Sequence, residues 1–355
     1  MDLQQRINAF AALGRFLHTC SKAWPTSNEK TEGVDPLVGQ MVAALEKANH
    51  GNGWFTEDNL QFALQSWSNA LTISALERWT ANYSIPDVQR PKTIAIVMAG
   101  NIPLVGLHDM LSVLLTGNKV LAKLSSNDTY LLPAIAKFLI AQQPDWKNYI
   151  SFTKDPLDNF NAVIATGSNN TARYFEYYFN SYPHIIRRNR NSVAVLTGEE
   201  TPQQLEALAD DVFRYFGLGC RNVSKIYIPE GYSFDAFFKA MYSWRDIIHN
   251  HKYINNYDYN KAVYLMGNIS LLDNEFLLLK EDTGFSSPIA VLFYERYSNL
   301  SQVKMRLKDQ QDNIQAIVSQ AEIDGAVDFG LVQAPELWDY ADGVDTMSFL
   351  LTLPE

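Results

Sequence analysis

The chain has 355 residues, a formal net charge of −10 and 47% hydrophobic residues, which describes a globular protein long enough for two domains. The acidic balance argues against a nucleic-acid surface, because neutralising phosphates needs clustered Lys and Arg. The one basic cluster, R-R-N-R (187–190), reads either as a basic patch or as a solvated loop or subunit contact. Cys20 and Cys220 lie far apart with no ligand spacing around either, so no disulfide framework and no metal site is indicated, and a reducing cytoplasm suits the chain. The start, M-D-L-Q-Q-R-I-N, has no basic stretch leading into an apolar core, and no run approaches the roughly 18 apolar residues of a membrane span. A soluble, untargeted protein is expected.

Residues 1–85 read as helical. Ile7, Phe10, Leu13, Phe16 and Leu17 recur at helical spacing, and Phe62, Leu64, Trp67 and Leu71 continue the pattern. H-G-N-G-W (50–54) breaks the run as a loop lying over another part of the molecule, and the tryptophans read mainly as packing residues. From Lys92 strands and helices alternate. T-I-A-I-V-M-A (93–99) is a continuous apolar run suited to a buried parallel strand, ending at Gly100 and Asn101 ahead of a helix over 103–116. K-V-L-A-K-L (119–124) is a second strand with a helix over 128–142 behind it, and N-A-V-I-A-T-G-S (161–168) is a third, again followed by a helix. This alternation predicts a doubly wound, Rossmann-like parallel sheet. A further unit begins near Ser192: a strand over 192–197, a helix over 202–216 with Pro202 in its first turn, and a strand over 223–228. A mixed stretch follows to residue 310 and includes a strand over 288–294. The tail, with V-D-F-G (327–330) and L-W-D-Y-A-D-G-V-D (337–345), is rich in turns.

Cys220 sits in F-G-L-G-C-R-N (216–222), at the junction of a helix and a strand. Glycines just ahead of a cysteine let the backbone approach a reacting group, and a thiol at such a junction can present its sulfur to a cleft as a nucleophile. The same local sequence also suits a small buried hydrophobe. Asn101, at a strand end ahead of Pro103, reads either as a side-chain amide donor to an oxyanion or as a helix cap. His184, His249 and His251 read as packing or surface residues.

Four elements occur in one order: strand then A-G-N-I-P (99–103), strand then A-K-L-S-S (122–126), strand then T-G-S (166–168), and helix then G-L-G-C (217–220). This order resembles the aldehyde dehydrogenase superfamily over residues 90–300. Within it the chain is most similar to the acyl-CoA reductase branch related to the fatty-acid reductase of bacterial bioluminescence, the LuxC-like family. That likeness rests on G-L-G-C-R-N-V-S-K, R-R-N-R-N-S-V-A-V-L and L-W-D-Y-A-D-G-V-D. The resemblance implies an aldehyde dehydrogenase-like α/β fold. It would comprise a helical N-terminal region over 1–90, a nicotinamide-cofactor-binding domain over 91–191, a catalytic cysteine domain over 192–310, and a segment over 311–355 returning to the cofactor domain or to an interface.

The resemblance also implies roles. Cys220 is the nucleophile, with Asn101 and the Cys220 backbone N–H as oxyanion donors. Lys123, Ser125 and Ser126 contact the cofactor ribose or phosphates, Gly167 and Ser168 open a helix toward the pyrophosphate, and Glu281 or Asp282 in K-E-D-T-G-F-S-S-P (280–288) holds the nicotinamide ribose. Two departures from the family pattern shape the expectation. Ser126 stands where NAD-preferring relatives carry Glu, so no carboxylate repels a 2′-phosphate; NADPH is expected, with NADH as the alternative. Arg187 to Arg190 stand where a hydrolytic enzyme carries its water-activating Glu. The implied reaction is NADPH-dependent reduction of a fatty acyl thioester, from acyl-CoA or another acyl carrier, to the aldehyde through an acyl-Cys220 intermediate. Aldehyde oxidation by an aldehyde dehydrogenase and an acyl-accepting subunit without turnover of its own are the competing readings. A homo-oligomer or an acyl-transfer partner protein is compatible with all three.

Overall fold

The computed structural model describes residues 1–25, 35–87 and 90–354. Of the helical region expected over 1–90, residues 26–34 and 88–89 lie outside the described residues. The chain divides into two compact units, one formed by Met1–Arg188 with Glu336–Glu355 and the other by Asn189–Pro335.

The first unit opens with four helices, α1 (Leu3–Ala23), α2 (Pro36–Gly51), α3 (Glu57–Ala70) and α4 (Ile73–Thr80). Asp2 starts α1 through a reciprocal capping box with Gln5, and Thr56 and Thr72 cap α3 and α4 with their hydroxyls. The apolar stripe read from the sequence is the buried face: Ile7, Phe10, Leu13, Phe16 and Leu17 join one core with residues of the sheet and its helices. That sheet is β1 (Thr93–Val97), β2 (Lys119–Lys123), β3 (Ile150–Thr153), β4 (Ala162–Thr166) and β5 (His184–Arg187), in the order β3-β2-β1-β4-β5. All its pairings are parallel. Helices α5 (Leu107–Leu115), α6 (Leu131–Gln142) and α7 (Asn169–Phe179) connect the strands. Continuous apolar runs form β1 and β4 because parallel strands at the sheet centre are covered on both faces.

Two helices start later than the sequence predicts. The helix expected from 103 begins at Leu107, because Leu104 takes a left-handed conformation (φ 58°) and Gly106 is the cap residue. The helix expected from 128 begins at Leu131, because the intervening residues form the turn that follows β2.

The turn-rich tail belongs to the first unit. The Trp79 indole N–H donates to the Tyr340 hydroxyl at 2.6 Å, the Tyr83 hydroxyl donates to Asp345 at 3.0 Å, and Lys92 Nζ donates to the Leu353 carbonyl at 2.8 Å. The short helix Thr346–Leu351 buries Met347 and Leu350 in the same core.

The second unit runs β6 (Asn191–Val195), α8 (Pro202–Phe213), β7 (Val223–Pro229), α9 (Asp235–Met241), α10 (His251–Met266), β8 (Leu272–Asp273), β9 (Leu278–Glu281), β10 (Val291–Tyr297), α11 (Leu300–Asp309), β11 (Ile314–Val318) and β12 (Ala326–Val327). Its sheet order is β12-β11-β6-β7-β10-β9-β8, parallel throughout except for the β8–β9 pair. Helix α8 stops at Phe213, three residues before the predicted end, for a reason that bears directly on Cys220.

Candidate functional site

In the first unit the chemistry collects at the carboxyl ends of the strands. Strand β1 pairs with β2 on one side and β4 on the other, so the order reverses there. Such a switch point leaves a crevice outside the strand ends, where doubly wound sheets bind ligands. Asn101 follows β1, Lys123 ends β2, and Gly167 and Ser168 follow β4. Asn101 is half-buried and stands five residues ahead of the Gly106 cap of α5, so the helix-cap reading does not apply to it. Lys123 pairs in register with Val97, and its Nζ donates to the Asp155 carbonyl at 3.3 Å. Ser125 Oγ accepts from the Asn127 N–H at 3.3 Å, and Ser126 is exposed on the same turn.

Glycines permit the approach of these segments. A Cβ on Gly100 would lie 2.5 Å from Ser125 Oγ and 2.6 Å from Ser125 Cβ, so the turn after β1 and the turn after β2 touch only because residue 100 has no side chain. Ser168 caps α7, its Oγ accepting from the Thr171 N–H at 3.3 Å, and the first-turn N–H groups of that helix point out at the sheet edge.

Features that sequence reasoning missed support these turns. Asp128, 7% exposed, accepts from the Leu131 N–H at 3.3 Å, and its own N–H donates to the Ser125 carbonyl at 3.1 Å. Its burial raises its carboxyl pKa, and the Leu131 amide opposes the rise. Asn52, from the H-G-N-G-W turn, reaches the same loop: its Nδ2 donates to the Asn127 carbonyl at 3.4 Å. The loop expected to lie over another part of the molecule therefore lies over the turn that follows β2. Arg187 is also not a surface cation. It is buried at the end of β5, forms an ion pair with Asp109 of α5 and donates to the Thr346 hydroxyl at 3.1 Å. Arg188 pairs with exposed Glu176, and Arg190 donates to the Gln311 carbonyl at 3.2 Å, so R-R-N-R is three separate anchors rather than one basic patch. A run of like charges in sequence does not reveal that each side chain leaves in a different direction.

In the second unit Cys220 is exposed. It lies in a turn closed by the Asn222 N–H on the Gly219 carbonyl at 3.1 Å, and its own carbonyl accepts from Ser192 Oγ at 3.1 Å. The turn precedes Val223, the first residue of β7, at the amino-terminal edge of the sheet. Three successive left-handed residues deliver the chain to it: Tyr215 (φ 55°), Phe216 (φ 58°) and Gly217 (φ 78°). Two non-glycine residues in that region cost about 1–2 kcal/mol each. Burial of both aromatic side chains offsets this, at about 1.5–3 kcal/mol per ring: Tyr215 is 6% and Phe216 8% exposed, and Phe216 packs 6.1 Å from the Tyr253 ring. Arg214 pairs with Asp210 and lies 4.7 Å over the Trp244 ring, fixing the last turn of α8. The helix ends early because the aromatic pair turns inward, and the following glycines carry the thiol outward. Cys20, by contrast, is buried in the first unit, and burial, with help from Asp35, pushes its thiol up to about 12.

Glu281 is exposed and ends β9. It pairs in register with Tyr294, which lies level with Ile226 in β7, whereas Cys220 precedes that strand. Asp282 is engaged by Lys280 and accepts from the Gly284 N–H at 2.8 Å, which lowers its carboxyl pKa. His249 and His251 are exposed on the same unit, and His184 is exposed on the first. Among the described residues no group of three His, Cys, Asp or Glu could hold a metal ion, and no helix is long and apolar enough to cross a membrane.

A family model described as acyl-CoA reductase (LuxC) matches residues 10–241, a span that contains Asn101, Lys123, Ser125, Ser126, Gly167, Ser168 and Cys220 and ends before Glu281. A curated relative, the long-chain acyl-protein thioester reductase of Aliivibrio fischeri, is 24% identical over 257 residues, covering 64% of this chain. The chain spans about half the length of that relative, 52%. Among solved structures, the indole-3-acetaldehyde dehydrogenase AldA of P. syringae, in complex with NAD+ and IAA, superposes with a TM-score of 0.62 at 12% identity, covering 90% of this chain and 73% of the other. Aldehyde dehydrogenase 21 of Physcomitrella patens gives a TM-score of 0.63 at 10% identity, covering 95% and 79%. Identities this low establish a shared architecture, the aldehyde dehydrogenase-like α/β fold.

Proposed function

The chain belongs to the acyl-CoA reductase (LuxC) family, and on that basis we propose that it reduces a fatty acyl thioester to the aldehyde with NADPH, through an acyl group carried on Cys220. The observation that carries the reading is an exposed cysteine held on a strained, buried-aromatic turn, inside the span that matches an acyl reductase family. The curated relative is named for an acyl-protein thioester, so both acyl-CoA and a protein-bound acyl group are candidate donors. Two free cysteines, one of them exposed, suit a reducing cytoplasm.

In this mechanism the Cys220 thiolate attacks the thioester carbonyl. The Cys220 backbone N–H is the proposed donor to the tetrahedral oxyanion, the Asn101 side-chain amide keeps the donor role that the family resemblance implies for it, and the carrier thiolate leaves and is protonated. When bound, the reduced nicotinamide supplies the hydride that brings the acyl carbon to the aldehyde level. Collapse of the resulting hemithioacetal breaks the C–S bond and returns Cys220 as thiolate.

The residues at the first unit's strand ends fit a dinucleotide. Lys123 offers a cation, Ser125 and exposed Ser126 offer hydroxyls with no carboxylate to repel a 2′-phosphate, and Gly167 with Ser168 opens α7 toward a pyrophosphate. Glu281, exposed at the end of β9, or the adjacent Asp282 is the proposed holder of the nicotinamide ribose.

Reduction is favoured over hydrolysis by the state of residues 187–190. Arg187 and Arg188 are committed to Asp109 and Glu176, and the stretch carries no carboxylate to activate water. The test is to mix the protein with acyl-CoA and acyl-protein donors of two to eighteen carbons, following NADPH and NADH oxidation and the intact mass. An acyl adduct on Cys220 that lasts minutes without cofactor and discharges to aldehyde with NADPH is expected, since the missing base is worth about 10²- to 10⁴-fold in hydrolysis. Rapid release of free fatty acid, oxidation of added aldehyde, or a stable adduct that no reduced cofactor discharges would each overturn the reading.

A further inference from the structure

The loop that leaves β9, residues 282–288, is tied down by the elements on either side of it. Ser224 Oγ of β7 donates to the Phe285 carbonyl at 2.6 Å, and Arg306 Nη2 of α11 donates to the Thr283 carbonyl at 3.1 Å. Within the loop the Gly284 N–H donates to Asp282 Oδ1 at 2.8 Å. The Lys225 ammonium lies 5.1 Å from the centroid of the Phe285 ring, inside cation–π range. Glu295 of β10 joins the two anchoring elements, pairing with Lys225 of β7 through one carboxylate oxygen and with Arg306 of α11 through the other. Ser224 and Lys225 are both buried. The strand that supplies them begins three residues after Cys220, and Ser287, Pro288 and Ile289 at the far end of the loop line one cavity with Phe216, Gly217 and Asn222 of the turn that carries the thiol.

We infer that Arg306 and Ser224, braced by the Lys225–Glu295 pair, are positioning residues that hold the 283–285 turn, so that the Glu281–Asp282 step is presented to the cofactor in one orientation. Asp, Thr, Gly and Ser make up most of this loop, and Phe285 is its one large apolar side chain, so packing alone leaves it with little to resist local opening. The two side-chain bonds to its backbone carbonyls supply that resistance. A buried ion pair is weak evidence of stabilisation, because apolar residues of similar volume often do as well. What it supplies here is geometry: one carboxylate fixes two cations, and each cation touches the same loop.

This inference rests on the role proposed above for Glu281 or Asp282, and the two half-reactions separate them. Full-length Arg306→Met, Arg306→Lys and Ser224→Ala are compared with the parent in three measurements: acylation of Cys220 by acyl-CoA without cofactor, discharge of that adduct at varied NADPH, and hydrogen exchange. Arg306→Met should form the adduct within about twofold of the parent rate while its NADPH KM rises about 10-fold, roughly what one hydrogen bond from a charged group is worth. Arg306→Lys keeps a cation for Glu295 and should recover to within about threefold. Amides over 282–288 should exchange faster in Arg306→Met and in Ser224→Ala, with the rest of the second unit unchanged. In a chain that also carries Glu281→Gln and Asp282→Asn, Arg306→Met should add less than about twofold to the NADPH KM, because the groups it positions no longer bind. Should Arg306→Met not fold, Ser224→Ala, which removes one oxygen and leaves every charge in place, carries the test. Unchanged exchange over 282–288, a parent-like NADPH KM, or acylation slowed as much as discharge refutes the inference. A Glu281→Gln, Asp282→Asn chain with parent-like NADPH KM defeats the ribose assignment, and a parent that forms no acyl adduct defeats the proposed reaction; in either case the exchange measurement still decides whether Arg306 and Ser224 hold the turn.

Discussion

Gly100→Ala is a one-carbon change whose consequence can be worked out from the coordinates. The added Cβ would sit 2.5 Å from Ser125 Oγ, 2.6 Å from Ser125 Cβ and 3.2 Å from Asn127 Cβ. Carbon atoms in contact stay about 3.5–4.0 Å apart, so the Ser125 Cβ must retreat by roughly 1 Å. It cannot do so by changing rotamer. The Ser125 carbonyl is held by the Asp128 N–H and its Oγ by the Asn127 N–H, so the whole turn after β2 must move or the turn after β1 must open. Overpacking of this kind costs about 1–3 kcal/mol, which for a domain of this size lowers the melting temperature by about 2–4 °C per kcal/mol. Cofactor affinity should fall as well, because both displaced turns carry proposed cofactor or oxyanion groups. Ser125→Gly in the same chain removes the two closest atoms and should restore most of the lost stability, leaving only the contact with Asn127. Thermal and urea unfolding of the parent, both single variants and the double variant, with NADPH titration of each, tests this. A Gly100→Ala protein as stable as the parent, or a double variant no better than Gly100→Ala, would refute the steric argument.

Thiol chemistry should separate the two cysteines: iodoacetamide followed by peptide mass spectrometry should label exposed Cys220 first and leave buried Cys20 unmodified in the folded protein. Cys220→Ser should abolish the acyl adduct and the reductase activity with the fold intact, whereas Cys20→Ser should leave activity nearly unchanged; inactivation that follows Cys20 labelling counts against the assignment. Ser126→Glu should weaken NADPH far more than NADH, read by titration of each, and an equal loss of both would remove Ser126 from the phosphate site. Asp211, buried on α8 and accepting from the Gly330 N–H at 2.7 Å, has its carboxyl pushed up to about 7 by burial. An unfolded Asp titrates near 3.9, so the native state binds more protons between about pH 4 and pH 7 and stability falls as pH rises through that window, by up to about 1.4 kcal/mol per unit. Urea midpoints of the parent should therefore drop from pH 5 to pH 7.5, and Asp211→Asn should flatten the profile; identical slopes for the two proteins would show that another group is responsible.

The alternating strand and helix plan was legible along the chain because buried parallel strands need uninterrupted apolar runs and their covering helices need an apolar stripe, and both are local patterns. Residues 93–97 and 162–166 announce themselves in this way, and so does the stripe of α1. The candidate loops were legible for a related reason: glycine, asparagine and serine at strand ends mark places where the backbone must bend or approach closely. Gly100 is the clearest case, since its contact with Ser125 leaves no room for any other residue.

What the sequence could not show is decided by groups that meet from distant positions. Helix ends were misplaced at 103, 128 and 216 because left-handed turns at Leu104 and at Tyr215–Phe216, and the loop held by Asp128, override local helical pattern through burial and hydrogen bonds made elsewhere. Whether Cys220 was a buried hydrophobe or an exposed thiol was open in the local sequence. It was settled by two aromatic rings turning inward just before it. Arg187 looked like part of a basic surface and is a buried anchor, because its partners Asp109 and Thr346 lie on helices far away in the chain. Local preference costs tenths to about 1 kcal/mol per residue, whereas burying a ring or pairing a buried charge is worth several times that. The chain by itself therefore determined which elements form and where their reactive residues stand, and tertiary contacts determined where those elements stop and which way the reactive groups face.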